Sequence, residues 1–352
     1  MFFTPKFSIT NRVLDNLTSI EASKEIIENA PLIPAWERSF KENAMARTIH
    51  HSTHIEGNNL TMEEAQKIIA GEKPHLEEKR REIQEIINYR NVIKYIEGYQ
   101  KTEEPGSINE KAILEIQRLI VDRIVPVDEA GRYRIAEFVT TRSSITGEVT
   151  FLPPQPEEVT PQMESFLEWL KRESRQINSI IKAGIIQAEL ARIHPFTEGN
   201  GRTARAVCTL SLYLEGYDLK RFFSLDEYYD RDAVGYYAAL GTYQNLDDDL
   251  TVWLEYFTQG LAQELLKVKQ KILDLSRDQK LKRELGGQVI LNGRQEYILK
   301  YLEDNKYINN SKFRAVFPEV SDDTVLRGLK ELMKKKLVRK QGKTKAAYYV
   351  LR

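Results

Sequence analysis

The chain has 352 residues, 41% hydrophobic and 30% charged, which excludes collagen-like, low-complexity and wholly disordered proteins and predicts two or three domains with a core that needs no disulfide. Basic and acidic residues balance at 52 each, but the 15 Lys+Arg and 7 Asp+Glu from Val289 to Arg352 give that segment +8 (15 minus 7) and leave residues 1–288 at −8, an acidic body with a small basic module. Cys208 is the single cysteine, no apolar run approaches the roughly 18 residues of a membrane helix, and no basic-then-apolar leader opens the chain, so a reducing cytoplasm without membrane attachment is expected.

Helical spacing of apolar residues predicts helices over Asn43 to Ile55, Leu76 to Tyr99 and Ile108 to Val121. The stretch from Tyr133 to Phe151 is rich in Thr, Val and Phe around a Thr146-Gly147 turn and reads as a β-hairpin, closed off by Pro153-Pro154-Gln155-Pro156. Two strands alone are marginally stable, so the hairpin is either a surface excursion or an exposed edge that accepts another chain's strand. Further helices are predicted over Met163 to Lys171, Ile180 to Ile193, Ala206 to Leu214 and Asp248 to Leu275, the last broken near Gly260. Beyond Gly286-Gly287 come three short helices, Arg294 to Asp304, Asn310 to Phe317 and one capped by Ser321. Strands Leu337 to Gln341 and Ala346 to Leu351 follow, a two-stranded wing around Gly342 to Lys345, so this part reads as a winged helix-turn-helix. The expected division is 1–105, an N-terminal helical region; 106–262, a catalytic core; 263–288, a helical linker; and 289–352, the winged helix.

The chemistry concentrates in His194-Pro195-Phe196-Thr197-Glu198-Gly199-Asn200-Gly201-Arg202-Thr203-Ala204-Arg205, a loop leading into a helix. Pro195 stops the preceding helix. Gly199 and Gly201 permit backbone shapes in which N–H groups converge, and such a nest at a helix N-terminus binds anions. Arg202 and Arg205 lie three apart and suit bidentate phosphate contacts. Glu198 can bind a hard cation such as Mg²⁺, and His194 has the pKa range of a general base. A base, a metal ligand, an anion hole and two phosphate clamps together point to phosphoryl or nucleotidyl transfer.

This segment resembles the signature of the Fic family, His-Pro-Phe-x-(Asp/Glu)-Gly-Asn-Gly-Arg-x-x-Arg, at every fixed position, with Glu198 where Asp is more common. The resemblance spans roughly residues 35–260. It implies a mainly α fold, a Fic helical core with a β-hairpin flap, and transfer of AMP from ATP to a Ser, Thr or Tyr hydroxyl of a target protein, with ATP and Mg²⁺ as cofactors. His194 would be catalytic, Glu198 the metal ligand, and Gly199, Asn200, Gly201, Arg202, Thr203 and Arg205 ATP-binding. Ser52-Thr53-His54-Ile55-Glu56-Gly57 resembles the family's inhibitory motif, so that Ser52, Glu56 and Gly57 would form an N-terminal inhibitory element in which Glu56 pairs with Arg205. Gly131-Arg132-Tyr133-Arg134 and the hairpin running to Phe151-Leu152-Pro153-Pro154 resemble the flap that aligns a target segment by strand addition, placing Val149, Thr150 and Phe151 beside ATP. Tyr236, Tyr237 and Gln244 resemble the adenine pocket.

Removal of AMP or transfer of another phosphate-containing group at the same site is the first alternative. Chiefly DNA-binding regulation through the basic winged helix is the second, and a purely structural interaction protein the third. Against DNA, the third helix of the module opens with Asp322 and Asp323, leaving Thr324, Arg327 and Lys330 there and Lys343 and Lys345 on the wing. Self-modification and a homodimer are the remaining partner expectations. His50 and His54 share a helix face at a spacing seen in zinc sites, but no third ligand is assignable, and with His51 they are read as lining the inhibitory helix. Cys208 is read as a small core residue.

Overall fold

The computed structural model describes residues 2–30, 32, 34–72, 79–102, 108–136, 141–142, 149–172, 176–245, 248–284, 293–317, 320–335, 337–342 and 347–352. It divides into two compact units, residues 1–30 with 36–270, and residues 31–35 with 271–352.

In the first unit, α1 (Asn11–Glu28) starts at Thr10, whose hydroxyl accepts the Val13 N–H. Helix α2 (Pro34–His54) begins well before the predicted Asn43. Helix α3 (Met62–Ile69) carries a capping box between Thr61 and Glu64, a signal the periodicity did not reveal. Next come α4 (Arg80–Thr102) and α5 (Glu110–Ile120), the latter capped by Asn109. The hairpin is shorter than predicted: β1 (Thr141–Arg142) pairs antiparallel with β2 (Val149–Phe151) across an irregular register, and Tyr133 to Ala136 precede it without strand structure. Thr146-Gly147 lies outside the described residues, as do Lys343 and Lys345.

Helix α6 (Pro156–Arg172) starts at Pro156 rather than near Met163, because a proline at the first helical position forfeits only an N–H that has no partner there. Helix α7 (Ser179–Ile193) is buried around nearly its whole circumference, from Ile180 through Leu190, and packs against α8 (Asn200–Leu214). Around this pair stand α9 (Leu225–Arg231), α10 (Ala233–Asn245) and α11 (Thr251–Glu284). The predicted break at Gly260 does not occur. A Cβ there would lie 2.5 Å from the Tyr228 ring, so this glycine serves close packing and α11 runs straight through it. Gly184 does the same on α7: a Cβ would lie 2.8 Å from Leu254, and its carbonyl accepts the Trp253 indole N–H at 2.8 Å.

The second unit holds α12 (Gly293–Asn305), β3 (Ile308–Asn309), a 3₁₀ turn (Asn310–Lys312) continuing into α13 (Phe313–Val316), α14 (Asp322–Lys334), β4 (Val338–Gln341) and β5 (Tyr348–Leu351). Its sheet has three strands in the order β3-β5-β4, one more than predicted, because a two-residue strand is too short for an alternation signal. Ser321 holds the cap position of α14, but its hydroxyl meets Thr324 Oγ1 at 2.8 Å instead of a backbone N–H. Ile298, Leu302, Phe313, Val325, Leu329 and Tyr349 fill the core. Among the described residues no helix is long and apolar enough to cross a membrane.

Candidate active site

Helix α7 ends at His194, whose N–H still reaches the Leu190 carbonyl (3.1 Å) while its own backbone is left-handed (φ 50°, ψ 57°). A non-glycine residue rarely adopts that shape, and it turns the chain sharply out of the helix. Buried Phe196 then anchors the loop. The Asn200 side chain closes a ring with it, accepting the Phe196 N–H (2.8 Å) and donating to the Phe196 carbonyl (2.7 Å). Gly199 occupies the N-cap of α8 at φ 80°, and a Cβ there would lie 2.9 Å from Ile120, so shape and space both demand glycine. The first N–H groups of α8 therefore point out of the loop, ready for an anion.

Two arginines leave α8 in different company. Arg202 is 2% exposed, with Nη2 on Glu198 (3.0 Å) and Nη1 3.3 Å from Glu85. Its Nε and Nη1 have no hydrogen-bond partner among the described residues. Arg205, also 2% exposed, is fully engaged: Nη1 donates to Glu56 (2.9 Å), Nη2 to the Ser52 carbonyl (2.8 Å), and Nε to Ser52 Oγ and Asp226 (both 3.1 Å). Burial works against the Arg205 charge, and Glu56, Tyr236 and Asp226 more than offset it, holding the guanidinium well above its usual range. Burial pushes the Asp226 carboxyl up, opposed by Arg205.

Glu56 stands at the end of α2, where Gly57 (φ 94°) turns the chain away. Its Oε1 lies so close to the loop that a Cβ on Gly201 would be only 2.2 Å from it. The carboxylate thus lies over the glycine nest as well as on Arg205. The end of α2 is fastened by His51 Nδ1 and His54 Nδ1, which reach the two oxygens of Asp230 (2.7 and 2.8 Å), by the Arg47–Glu227 pair, and by Asn58, which donates to Glu85 (2.8 Å). Among the described residues no group of three or more His, Cys, Asp or Glu gathers as a metal site.

Burial pushes His194 down to about 4, against the Ala191 carbonyl near Nδ1 (3.2 Å) and the Glu56 charge, which raise it. Its imidazole is neutral at pH 7, able to take a proton but a weaker base than the near-neutral value expected from sequence. Glu198 is held between Arg202 and Arg81 (3.3 Å). The Thr203 hydroxyl turns back to the Gly199 carbonyl (2.8 Å) and is buried, shaping the loop instead of facing the nest. Tyr236 is 1% exposed and stacks on Tyr229 at 4.5 Å, a core position, whereas Tyr237 is half-exposed with its hydroxyl 3.5 Å from the Ile55 carbonyl. Only the second tyrosine of the expected pair offers an open ring. Gln244 belongs to α10 and Val149, Thr150 and Phe151 to β2, but their side chains lie outside the described residues.

Sequence reasoning missed Asp226, Glu85, Arg81 and Gln117. Buried Gln117 donates to the Glu198 carbonyl (3.1 Å) and accepts the Gly131 N–H (2.6 Å), bracing the loop from α5. None belongs to a local pattern, and tertiary packing alone brings them to the site. Cys208 is buried, as expected of a core residue.

The Fic/DOC family model matches residues 107–212. A protein adenylyltransferase Fic from Nematostella vectensis is 33% identical over 199 residues, 55% of this chain and 44% of that protein. Protein adenylyltransferase fic-1 of Caenorhabditis elegans is 31% identical over 215 residues, 61% of this chain and 40% of that one. The chain thus spans less than half the length of these curated relatives. A solved Fic family protein from Desulfovibrio desulfuricans G20 has the same fold, with a TM-score of 0.68 at 21% identity over 99% of this chain and 98% of that one. A structure of C. elegans Fic-1 gives 0.59 at 24% identity over 76% and 74%.

Proposed function

We propose that the chain carries a Fic/DOC family domain, the family whose model matches residues 107–212, and that it is a protein adenylyltransferase that moves AMP from ATP to a side-chain hydroxyl of a target protein. The observation that carries the reading is the loop between α7 and α8: a neutral His194 at its start, a glycine nest at the N-terminus of α8, and a buried Arg202 whose Nε has no hydrogen-bond partner among the described residues. Unpaired buried donors are costly unless an acceptor arrives, and a triphosphate supplies several. The curated relatives named protein adenylyltransferase support the same reading.

In the proposed reaction His194 accepts the proton of a Ser, Thr or Tyr hydroxyl. That oxygen bonds to the α-phosphorus of ATP, the α–β bridging bond breaks, and pyrophosphate leaves. The N–H groups of Gly199, Asn200 and Gly201 cradle the phosphates, and Arg202 and Arg205 neutralise their charge. Glu198 is the carboxylate that would hold Mg²⁺, which uses few protein oxygens together with substrate phosphates, and a single carboxylate beside a phosphate cradle fits that habit. When bound, the cation supplies charge neutralisation on the phosphates. Tyr237 offers a ring for the adenine, and the β1–β2 edge offers backbone groups to a target strand.

Glu56 is the brake in this reading. Its carboxylate uses the Arg205 N–H that a terminal phosphate needs and covers Gly201, so nucleotide enters only in competition with it. The second unit is read as a winged helix, and the lone Cys208 motivates a cytoplasmic placement. The test is incubation of Glu56→Gly protein with α-labelled ATP and Mg²⁺, with mass spectrometry of the product. An added AMP on a hydroxyl that disappears with His194→Ala supports the proposal. A different added mass, or label that survives His194→Ala, overturns it.

A further inference from the structure

Arg134 lies outside the His194–Arg205 segment, on the strand-free stretch before β1, and is 4% exposed. Its backbone N–H donates to the Pro195 carbonyl (2.9 Å) and its Nε to the His194 carbonyl (2.8 Å). The rest of the fork reaches the chain on either side of the hairpin: Nη1 the Ala136 carbonyl (3.5 Å), N-terminal to β1, and Nη2 the Pro154 carbonyl (2.5 Å), C-terminal to β2. One residue thus grips the two peptides that follow α7 and straps them to the chain on either side of the hairpin.

His194 is the residue for which such a grip matters. Its left-handed backbone is sparsely populated, and such shapes persist only when neighbours over-determine them. The bonds from Arg134 to the His194 and Pro195 carbonyls are two of those constraints. A guanidinium suits the task because its planar donors have fixed directions and cannot lose their charge.

We propose that Arg134 is a positioning residue of the transfer reaction: it holds the His194 backbone and the base of the β1–β2 hairpin in one register, so that the imidazole stands where the hairpin edge delivers the target hydroxyl. The proposal rests on the adenylyltransferase reading and assigns to that site a residue outside its signature. It differs from a general stabilising role in one respect. The phosphate-binding groups on α8 are braced separately, by the Asn200–Phe196 ring and by Gln117 on the Glu198 carbonyl. Losing the Arg134 fork should therefore slow transfer while sparing nucleotide binding. Displacing a catalytic group by about 1 Å is enough to cost roughly 100-fold.

The experiment uses the full chain in the Glu56→Gly background, with Arg134→Ala and Arg134→Lys added singly. Self-labelling from α-labelled ATP with Mg²⁺ is followed at saturating nucleotide, and affinity is titrated with a fluorescent ATP analogue. The expected result is labelling slowed by about 30-fold or more in Arg134→Ala, an intermediate rate in Arg134→Lys, whose compact ammonium cannot span all these carbonyls, and affinity within about threefold of the reference in both. If Arg134→Ala does not fold, Arg134→Lys carries the same comparison. Labelling at the reference rate in the folded variants, or a loss of nucleotide affinity that parallels the loss of rate, overturns the positioning role. A Glu56→Gly reference that takes up no label while binding nucleotide sinks the transferase reading itself, and the proposal with it.

Discussion

Replacing Glu56 by glycine tests the brake quantitatively. The carboxylate makes one 2.9 Å bond to Arg205, with the glutamate side chain 29% exposed and the arginine side chain 1%. A hydrogen bond between charged groups contributes about 1.5–3 kcal/mol net, and each 1.4 kcal/mol is tenfold in an equilibrium, so removing it should raise occupancy of the competent phosphate site by about 10–150-fold. Arg205 does not swing away, because Ser52 and Asp226 still hold it from the other side. The same bond is lost from the folded protein, so the melting temperature should fall by about 3–10 °C for a unit of this size. The assay is the initial rate of label incorporation from α-labelled ATP at subsaturating nucleotide, beside a thermal melt. Glu56→Gln, which keeps the shape and discards the charge, should give a smaller activation. A rate within twofold of the parent in a variant that melts several degrees lower would refute the reasoning, since the bond would then have been broken without freeing the site.

Three further outcomes follow from the same geometry. His194 takes up a proton below pH 6.5 in the unfolded chain but only below about 4 when folded, so lowering the pH through that window favours unfolding, by at most about 3 kcal/mol and by less for a part-buried ring; His194→Ala should flatten that part of the pH–stability curve in urea melts, and an unchanged slope would show that the imidazole is not desolvated as described. Asp226→Asn removes one partner of a buried ion pair and should cost about 3 kcal/mol with loss of labelling, read by denaturant titration; a neutral result would mean that Arg205 does not depend on this carboxylate. Gly199→Ala forces a Cβ onto a left-handed backbone 2.9 Å from Ile120, so nucleotide binding should weaken and stability fall by about 1–3 kcal/mol, and parent-like titrations would contradict the loop geometry.

What could be read from the sequence was whatever lies in one run of residues. The loop from His194 to Arg205 and the pairing of Glu56 with Arg205 were both legible, the first from residue chemistry and the second from resemblance to a known signature. The positions of α4, α5, α7, α8 and α11 followed from apolar spacing, whereas α1, α3, α9 and α10 did not, and glycine misled: at Gly260 it marks the close approach of Tyr228, which no one-dimensional pattern contains. Tyr236 and Tyr237 look alike in sequence and face opposite ways in the fold, one into the core and one outward. Asp226, Glu85 and Arg81 were invisible because their importance arises from charges brought near Arg205, Arg202 and Glu198 from other helices. Arg134 stood out only within Gly131-Arg132-Tyr133-Arg134, by likeness to the flap, and its bonds stayed hidden because its partners are carbonyls, which every residue has.

The fastening of α2 bears on how such a protein could be turned on. With Asp230 holding two histidines, Glu227 holding Arg47 and Glu85 holding Asn58, the helix is riveted on either side of its last turn. Swinging it out as a rigid lever would break all of these joints at once. Tilting only the tip around Ile55 to Gly57 spares those joints and gives up the Glu56–Arg205 bond and the Tyr237 contact with the Ile55 carbonyl. A trigger therefore needs to act on a few atoms at the lip of the site, and an activator no larger than a small molecule or a single side chain of a visiting protein could throw it.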